Sequence, residues 1–454
     1  MSEAADKTDD QSEARLQYLH EALDSGRMRR LKPLLHALHP AETALLLEAI
    51  PHAKREIVWG LVPDDDHGEV LLHVNDEVRS ELIEDLDDEV LLAATEGLEI
   101  DDLADLIEDL PETVTQQVLR SMDLQNRERL ESVLSYPADS AGGLMNTDSV
   151  TVRPDVSLDV VQRYLRQRGT LPDQTETLFV VSRYGRYLGM LSLAKLVTVD
   201  PERDVSEIMN TSVEGIQADL PASQVAKRFQ DLDLISAPVV DDNGMLVGRI
   251  TIDDVVDVIR DEAEHSIMSM AGLDEEEDLF APIPRSARRR AVWLGANLCT
   301  AFLASWVVGL FEATLAQVVA LAVLMPIVAS MGGIGGSQTL TLMIRGLALG
   351  QIGYTNARSL LFKEISVAVI NGLLWATVVG IVAIAWFGNP VLGAVIASAL
   401  IINQLTAALV GVGLPLAMRR LGIDPALAGS VVLTTVTDVV GFASFLGLGA
   451  LFLL

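Results

Sequence analysis

The chain has 454 residues, is half hydrophobic, and carries a formal charge of −31. From Arg285 onward nine basic residues stand against four acidic ones, a net +5, so the part before Arg285 carries −36. An acidic surface of that size excludes nucleic acid as a partner, since phosphates need Lys and Arg. Cys299 is the only cysteine, which excludes a disulfide framework and a Cys-based metal site and fits a reducing cytosol.

The N-terminus, MSEAADKTDDQSEARLQ, lacks the basic start and apolar core of a signal peptide, and residues 1–12 read as a disordered tail. Residues 13–135 read as an acidic domain of short helices. ALLLEAIP (44–51), SELIEDLD (80–87) and ADLIEDLP (104–111) place apolar pairs at helical spacing before a proline or an acidic stop. That is the pattern of stacked helical hairpins, a small all-α solenoid. SYPADSAGGLMNTDSVTV (135–152) marks a boundary. After it, strand and helix signals alternate in two copies, at 136–208 and 209–260, each opened by Met-Asn-Thr (145 and 209). In the second copy APVV and LVGRIT are strand-like around an Asp-Asn-Gly turn, and IDDVVDVI starts a helix; in the first, TLFVV and YLGMLS flank SRYG. Two α+β units of about 60 residues follow one plan. Residues 261–284 read as an acidic connecting helix and linker.

Residues 285–454 hold five apolar segments, near 289–311, 316–343, 361–387, 391–418 and 425–453, each long enough to cross about 30 Å of hydrocarbon. Arg288, Arg289 and Arg290 precede the first, Arg345, Arg358 and Lys363 lie between the second and third, and Arg419 and Arg420 between the fourth and fifth. The loops around Glu312 and GNP (388–390) have no Lys or Arg. The basic loops face the cytoplasm, with the acidic domains, and the C-terminus lies outside.

Asp438 is the one acid deep within a span. It shares a helical face with Ser430, Thr434, Gly441 and Ser444. An intramembrane carboxylate faces a partner or a wet path, so Asp438 is either protonated or paired at a helix interface, or a cation site. The second span, MPIVASMGGIGGSQTLTLMIR, crowds Pro326, Gly332, Gly333, Gly335, Gly336, Ser337 and Gln338. These bend or loosen a helix along a pore, pack helices closely, or both. In the fourth span Asn403, Gln404, Thr406, Gly411, Gly413 and Pro415 add small or polar positions. Glu312 is a solvated loop acid or an outer mouth that attracts cations, and Lys363 and Glu364 form a local interfacial pair. The donors available are all oxygen and amide groups, which disfavours zinc and copper and suits Mg²⁺, which keeps most of its waters. A dimer would bring two copies of Asp438 to one axis, where a divalent cation relieves their repulsion.

Two acidic clusters are either solvated faces or a cation sensor. Asp253, Asp254, Asp257, Asp261, Glu262 and Glu264 crowd the helix that enters the membrane. Asp85, Asp87, Asp88, Asp101, Asp102, Asp105, Glu108 and Asp109 lie in the helical domain. Facing acids repel until divalent cations bridge them, a two-state element. No Ser/His/Asp or Cys/His set falls in one site, so the chain reads as no enzyme, and no nucleotide-hydrolysing P-loop is present.

YPADSAGGLM (136–145), MPIVASMGGIGGSQTLTLMIRGLA (325–348), FKE (362–364), RRLGIDPALAGS (419–430) and TDV (437–439) resemble a bacterial MgtE-type Mg²⁺ transporter over nearly the whole chain. The two α+β copies resemble a tandem CBS pair. The resemblance implies a homodimeric, cytosol-gated Mg²⁺ channel, embedded in the lipid of the inner (plasma) membrane. It implies an ion site at Asp438, a plug-like connecting helix, and Mg²⁺ between the helical and CBS domains. Where the family carries pore asparagines this chain has Ile334 and Ser337. Some members bind ATP, for which the second repeat offers Thr251 and Asp254; the first has Ser192 and Lys195 and lacks the acid. A membrane-anchored CBS sensor or scaffold without transport is the alternative, and a CBS-regulated anion channel would need cationic sites at depth.

Overall fold

The computed structural model describes residue 21 and residues 31–172, 174–273, 277–353 and 356–454; the tail expected at 1–12 lies outside them. The chain divides into two compact units, residues 1–263 with 276–282, and residues 264–275 with 283–454.

The first unit opens with nine short helices among the described residues: α1 (Leu31–Leu35), α2 (Pro40–Glu48), α3 (His52–Trp59), α4 (His67–His73), α5 (Asp76–Asp85), α6 (Asp88–Ala94), α7 (Ile100–Asp109), α8 (Glu112–Ser121) and α9 (Leu124–Val133). Pro51 and Pro111 stand at the N-caps of α3 and α8 and end the preceding helices. The Asn75 and Asp123 side chains cap α5 and α9 by accepting from Val78 N at 2.9 Å and Asn126 N at 3.0 Å. From α2 to α9 each helix packs on the next but one. Two rows of helices share one layer of buried apolar side chains, the solenoid plan that the repeated apolar pairs announce.

The two α+β copies follow. The first is β1 (Thr151–Val152), α10 (Leu158–Arg168), β2 (Thr177–Val181), β3 (Tyr187–Ser192) and α11 (Leu193–Thr198). After α12 (Val205–Ile208) the second is β4 (Ile216–Gln217), α13 (Ala222–Leu232), β5 (Ser236–Val240), β6 (Leu246–Thr251) and α14 (Ile252–Ala271). In each, the first strand pairs parallel with the second and the second antiparallel with the third. Each second strand bulges at its last pair, Val180/Val181 and Val239/Val240. Asp241 builds the expected turn: its carboxylate accepts from Asn243 N at 2.9 Å and Met245 N at 2.8 Å.

The two Met-Asn-Thr segments are exchanged. Asn146, ahead of the first copy, bridges to Arg249 in β6, and Asn210, ahead of the second, bridges to Met190 in β3. Gly248 lets the backbone come this close, since a Cβ there would lie 2.9 Å from the Asn146 carbonyl oxygen. The core of the second copy runs on into that of the helical domain, and the first copy has its own. The expected boundary at 260/261 falls inside α14. The last helix of the second copy and the connecting helix are therefore one.

The second unit contains α15 (Ile283–Gly309), α16 (Glu312–Gln317), α17 (Val319–Ala348), α18 (Ala357–Phe387), α19 (Pro390–Arg420) and α20 (Pro425–Phe452). Five of its helices are long and apolar enough to cross a membrane, and they agree with the expected spans to within a few residues. The expectation that Pro326 and the glycines loosen the second span is corrected, because α17 is helical from Val319 to Ala348. Its neighbour explains why. α19 packs on α17, α18 and α20, and its side-chain amides donate to α17 carbonyls, Asn403 Nδ2 to Val328 O at 2.9 Å and Gln404 Nε2 to Met331 O at 3.0 Å.

The glycines of α17 make room for those amides. A Cβ on Gly332 would lie 2.1 Å from Asn403 Nδ2, whereas one on Gly333 would meet nothing within 4 Å. Gly332→Ala should therefore lower stability by about 1–3 kcal/mol through overpacking, and Gly333→Ala should stay within about 0.5 kcal/mol. Thermal unfolding of the two variants in detergent checks the difference.

Candidate functional site

On α20 the residues Ser430, Thr434 and Asp438 follow at four-residue intervals and so share one helical face. The Thr434 hydroxyl donates to Ser430 O at 2.9 Å, and Ser444 donates to Gly441 O at 3.1 Å. The half-buried Asp438 makes no hydrogen bond or ion pair among the described residues. The expected alternative of an arginine partner is thus absent there.

The stripe expected in α17 separates into two faces. Gly332 and Gly336 are buried, Gly336 against Leu433 of α20 and Gly335 against the Gln404 amide. Gly441 of α20 likewise packs on Asn403. These four serve helix contacts within the chain. Pro326, Ser337 and Gln338 are exposed and Gly333 is half-exposed, so these positions make no close helix contact within the chain. Glu312 is exposed at the start of α16. Glu364 is buried, with Lys363 Nζ 3.0 Å from its Oε1 and the Thr339 hydroxyl donating to its Oε2 at 3.3 Å, as the local pair predicts.

The distal half of α14 reaches the same end of α20. The Ser430 hydroxyl donates to Met270 O at 3.4 Å, and His265 Nε2 lies 2.9 Å from the carboxylate of Asp424, the N-cap of α20. A cavity of about 210 Å³ remains there, lined by Gly272, Trp293, Asn297, Ser430 and Thr434 among others. The tip of α14 thus stands two turns along α20 from Asp438.

In the first unit the expected acids meet in part. Asp101 on α7 is buried and accepts from Asn146 Nδ2 at 3.1 Å. Burial first, then the charges of Asp254, Asp102 and Glu99, push its carboxyl up to about 8. Asp254 on α14 is pushed up to about 7, by burial first and then by Asp253. Asp102 is raised by burial, Asp253, Glu69 and Asp257. Asp105 keeps more solvent and rises to about 6, with Arg79 opposing the desolvation. Carboxyls of α7 and α14 are therefore crowded together against their own charge. Among the described residues no three His, Cys, Asp or Glu side chains converge at metal-ligating distance. Any Mg²⁺ here is held largely through its water shell.

Asp257, whose charge also reaches Asp102, and Asp261 each lie 3.2 Å from the Arg260 guanidinium, and Glu262 is exposed beyond them. At the nucleotide candidate, the Thr251 hydroxyl donates to Asp254 Oδ2 at 3.1 Å and to Asp253. These residues cap α14 and engage each other.

Sequence reasoning misses the most buried charge of the unit. Arg55 on α3 is 1% exposed. Its Nε donates to Leu47 O at 3.0 Å, its Nη1 to Glu81 at 2.6 Å and its Nη2 to Asp278 at 2.8 Å. The available signal is spacing: Arg55 shares its helical face with Val58 and Trp59, both buried.

The crowded carboxyls set a pH dependence. With values raised above the ordinary 3.8, the docked form of α7 and α14 binds more protons than a separated one. Docking without divalent cations then strengthens as pH falls, and it weakens as pH rises from about 4 to about 8. In divalent-free buffer the helical domain should be held on the CBS pair at pH 5 and released at pH 8.5, and Mg²⁺ should flatten the profile. Small-angle scattering or proteolysis between α9 and β1 reads this directly.

Residues 325–448 match the family model MgtE, a divalent cation transporter; residues 38–139 match the MgtE intracellular N domain, and 141–202 and 205–261 match CBS domains. The chain is similar to the magnesium transporter MgtE of Thermus thermophilus, 33% identical over 441 residues, which cover 96% of this chain and 98% of the relative. The magnesium transporter MgtE of Bacillus subtilis is 28% identical over 431 residues, covering 95% and 96%. A solved structure, the cytosolic domain of the Mg²⁺ channel MgtE in complex with ATP, is 34% identical; the match covers 54% of this chain and 99% of that one, with a TM-score of 0.48. On the extent of the Thermus match and of the family models, the chain belongs to the MgtE family of divalent cation transporters.

Proposed function

We propose that the protein is a homodimeric Mg²⁺ channel of the inner membrane that imports the ion down the membrane potential and closes when cytosolic Mg²⁺ is high. The observation that carries this reading is Asp438: a half-buried, unpartnered carboxylate on a membrane helix whose cytosolic end contacts the tip of α14. The relatives named as magnesium transporters, similar over nearly the whole chain, supply the ion.

Hydrated Mg²⁺ enters from outside, past the acid-bearing loop at Glu312. It binds between the Asp438 carboxylates of two subunits, each relieving the other's repulsion through the ion. It leaves along Thr434 and Ser430 and the open face of α17 at Gly333 and Ser337. At about 2.3 kcal/mol per charge per 100 mV, a divalent ion gains roughly twice that on entry. The basic loops support a cytosolic position for α14 and the CBS pair and an outside position for the C-terminus. When Mg²⁺ screens Asp101, Asp102, Asp253 and Asp254, the helical domain stays docked on the CBS pair and the α14 tip stays against Ser430. When Mg²⁺ leaves, the like charges separate the two. ATP enters this reading only at the second repeat, where it would have to open the bond between Thr251 and Asp254.

The test is Mg²⁺ uptake into sealed vesicles holding the purified dimer. Asp438→Asn should reduce flux at least about 100-fold while the protein still inserts and dimerises, and Mg²⁺ on the domain side should close the wild type. Equal flux through both proteins would make Asp438 structural. No flux through wild type under any condition would favour the scaffold reading.

A further inference from the structure

The chain leaves the first unit after residue 263 and returns to it at 276–282. The excursion between, residues 264–275, carries the α14 tip that touches α20. One end is tied by continuity of the helix. The other is tied by a side chain: Asp278 is 3% exposed and accepts from Arg55 Nη2 at 2.8 Å. The same residue donates its backbone N–H to Glu77 Oε2 at 2.8 Å, and its carboxylate accepts from Phe280 N at 2.9 Å. Arg55, Glu77, Glu81 and the Leu47 carbonyl belong to α2, α3 and α5 of the helical domain, so the contact is with that domain and not with the CBS pair.

We infer that the helical domain carries a socket, built on Arg55, for the acidic segment Glu277–Phe280 of its own chain. This tether transmits movement of the helical domain to the gate. The inference rests on the gated-transport reading and adds to it a connection that needs no metal.

Magnitudes decide which contact yields. Five residues lie between Gly272 at the tip and Asp278 in the socket, and the six steps span at most about 20 Å when extended. A larger excursion of the helical domain must either extract Asp278 or draw the tip away. Extraction would leave the buried Arg55 guanidinium with only part of its charge compensated, a strongly unfavourable state. The tip is held by a 3.4 Å hydroxyl contact and by the His265–Asp424 pair, whose side chains are 41% and 39% exposed. Partly exposed pairs of this kind hold weakly. The tip therefore gives way first.

Full-length protein in vesicles tests this with two variants and two readouts. The variants are Asp278→Asn and an insertion of Gly-Ser-Gly-Ser after Leu273, which slackens the tether but leaves the socket intact. Hydrogen exchange at the Asp278 and Phe280 amides reads the socket, exchange across residues 268–273 reads the tip, and Mg²⁺ flux reads the gate. In wild type, Mg²⁺ removal should speed exchange at the tip and leave the socket protected. Asp278→Asn should speed socket exchange at least tenfold. Both variants should lose tip exposure on Mg²⁺ removal and pass about tenfold less Mg²⁺ at low Mg²⁺. Wild-type tip and flux responses in the insertion variant, or unprotected 278 and 280 amides in wild type, would overturn the inference. Absence of flux through wild type would count against the transport reading alone, since tip and socket exchange judge the tether without it.

Discussion

The structure turns on carboxylates pressed against carboxylates. Asp101 on α7 and Asp254 on α14 are raised well above the ordinary carboxyl range by burial first and then by neighbouring carboxylates, Asp254 on Asp101 and Asp253 on Asp254. No lysine or arginine bonds to either among the described residues. An apolar core also joins the helical domain to the second copy; beside it, these like charges favour a positive partner from solution. A cation that arrives with its own waters suits a cluster that never closes to ligating distance. α14 is one continuous helix: its first turn supplies Asp253 and Asp254, and its last lies at the foot of α20.

The membrane unit solves a different problem with amides. Asn403 and Gln404 donate to carbonyls of α17 one turn apart, and Gly332 and Gly335 leave the space they need. The Asn403 oxygen itself has no hydrogen-bond partner among the described residues. These bonds tie down a helix that stays unbroken despite its glycines and Pro326, in a medium that offers no water to a frayed backbone. They also leave the opposite side of the same helix, at Gly333 and Ser337, free of packing duties.

Much of this architecture is legible in the sequence because its signals are periodic. Apolar pairs with proline stops give the helical rows, Asp-Asn-Gly gives the hairpin, and long uncharged runs flanked by arginine give the spans. Asp438 is legible because a lone acid in such a run is costly. What the sequence hides is pairing between distant residues. Nothing local in AKREIVW says that Arg55 will meet Asp278, more than two hundred positions on. The roles of Gly332 and Gly333 differ only by the 100° turn between them, which decides whether a neighbour or open space lies opposite. The boundary expected at 260 lies within one continuous helix, Ile252–Ala271, so no structural break marks the change.

The exchanged Met-Asn-Thr segments bear on how the chain is made. Asn146 must reach β6 at Arg249, and Asn210 must reach β3 at Met190. During synthesis the first copy emerges complete, yet Asn146 waits for a strand about 100 residues later. Contacts so far apart in the chain slow folding, and neither copy can finish alone. The pair therefore matures as a single cooperative element only after the second copy has been translated. By then the apolar segment after Ile283 follows directly in the growing chain, so the CBS pair and the first long apolar helix come of age together.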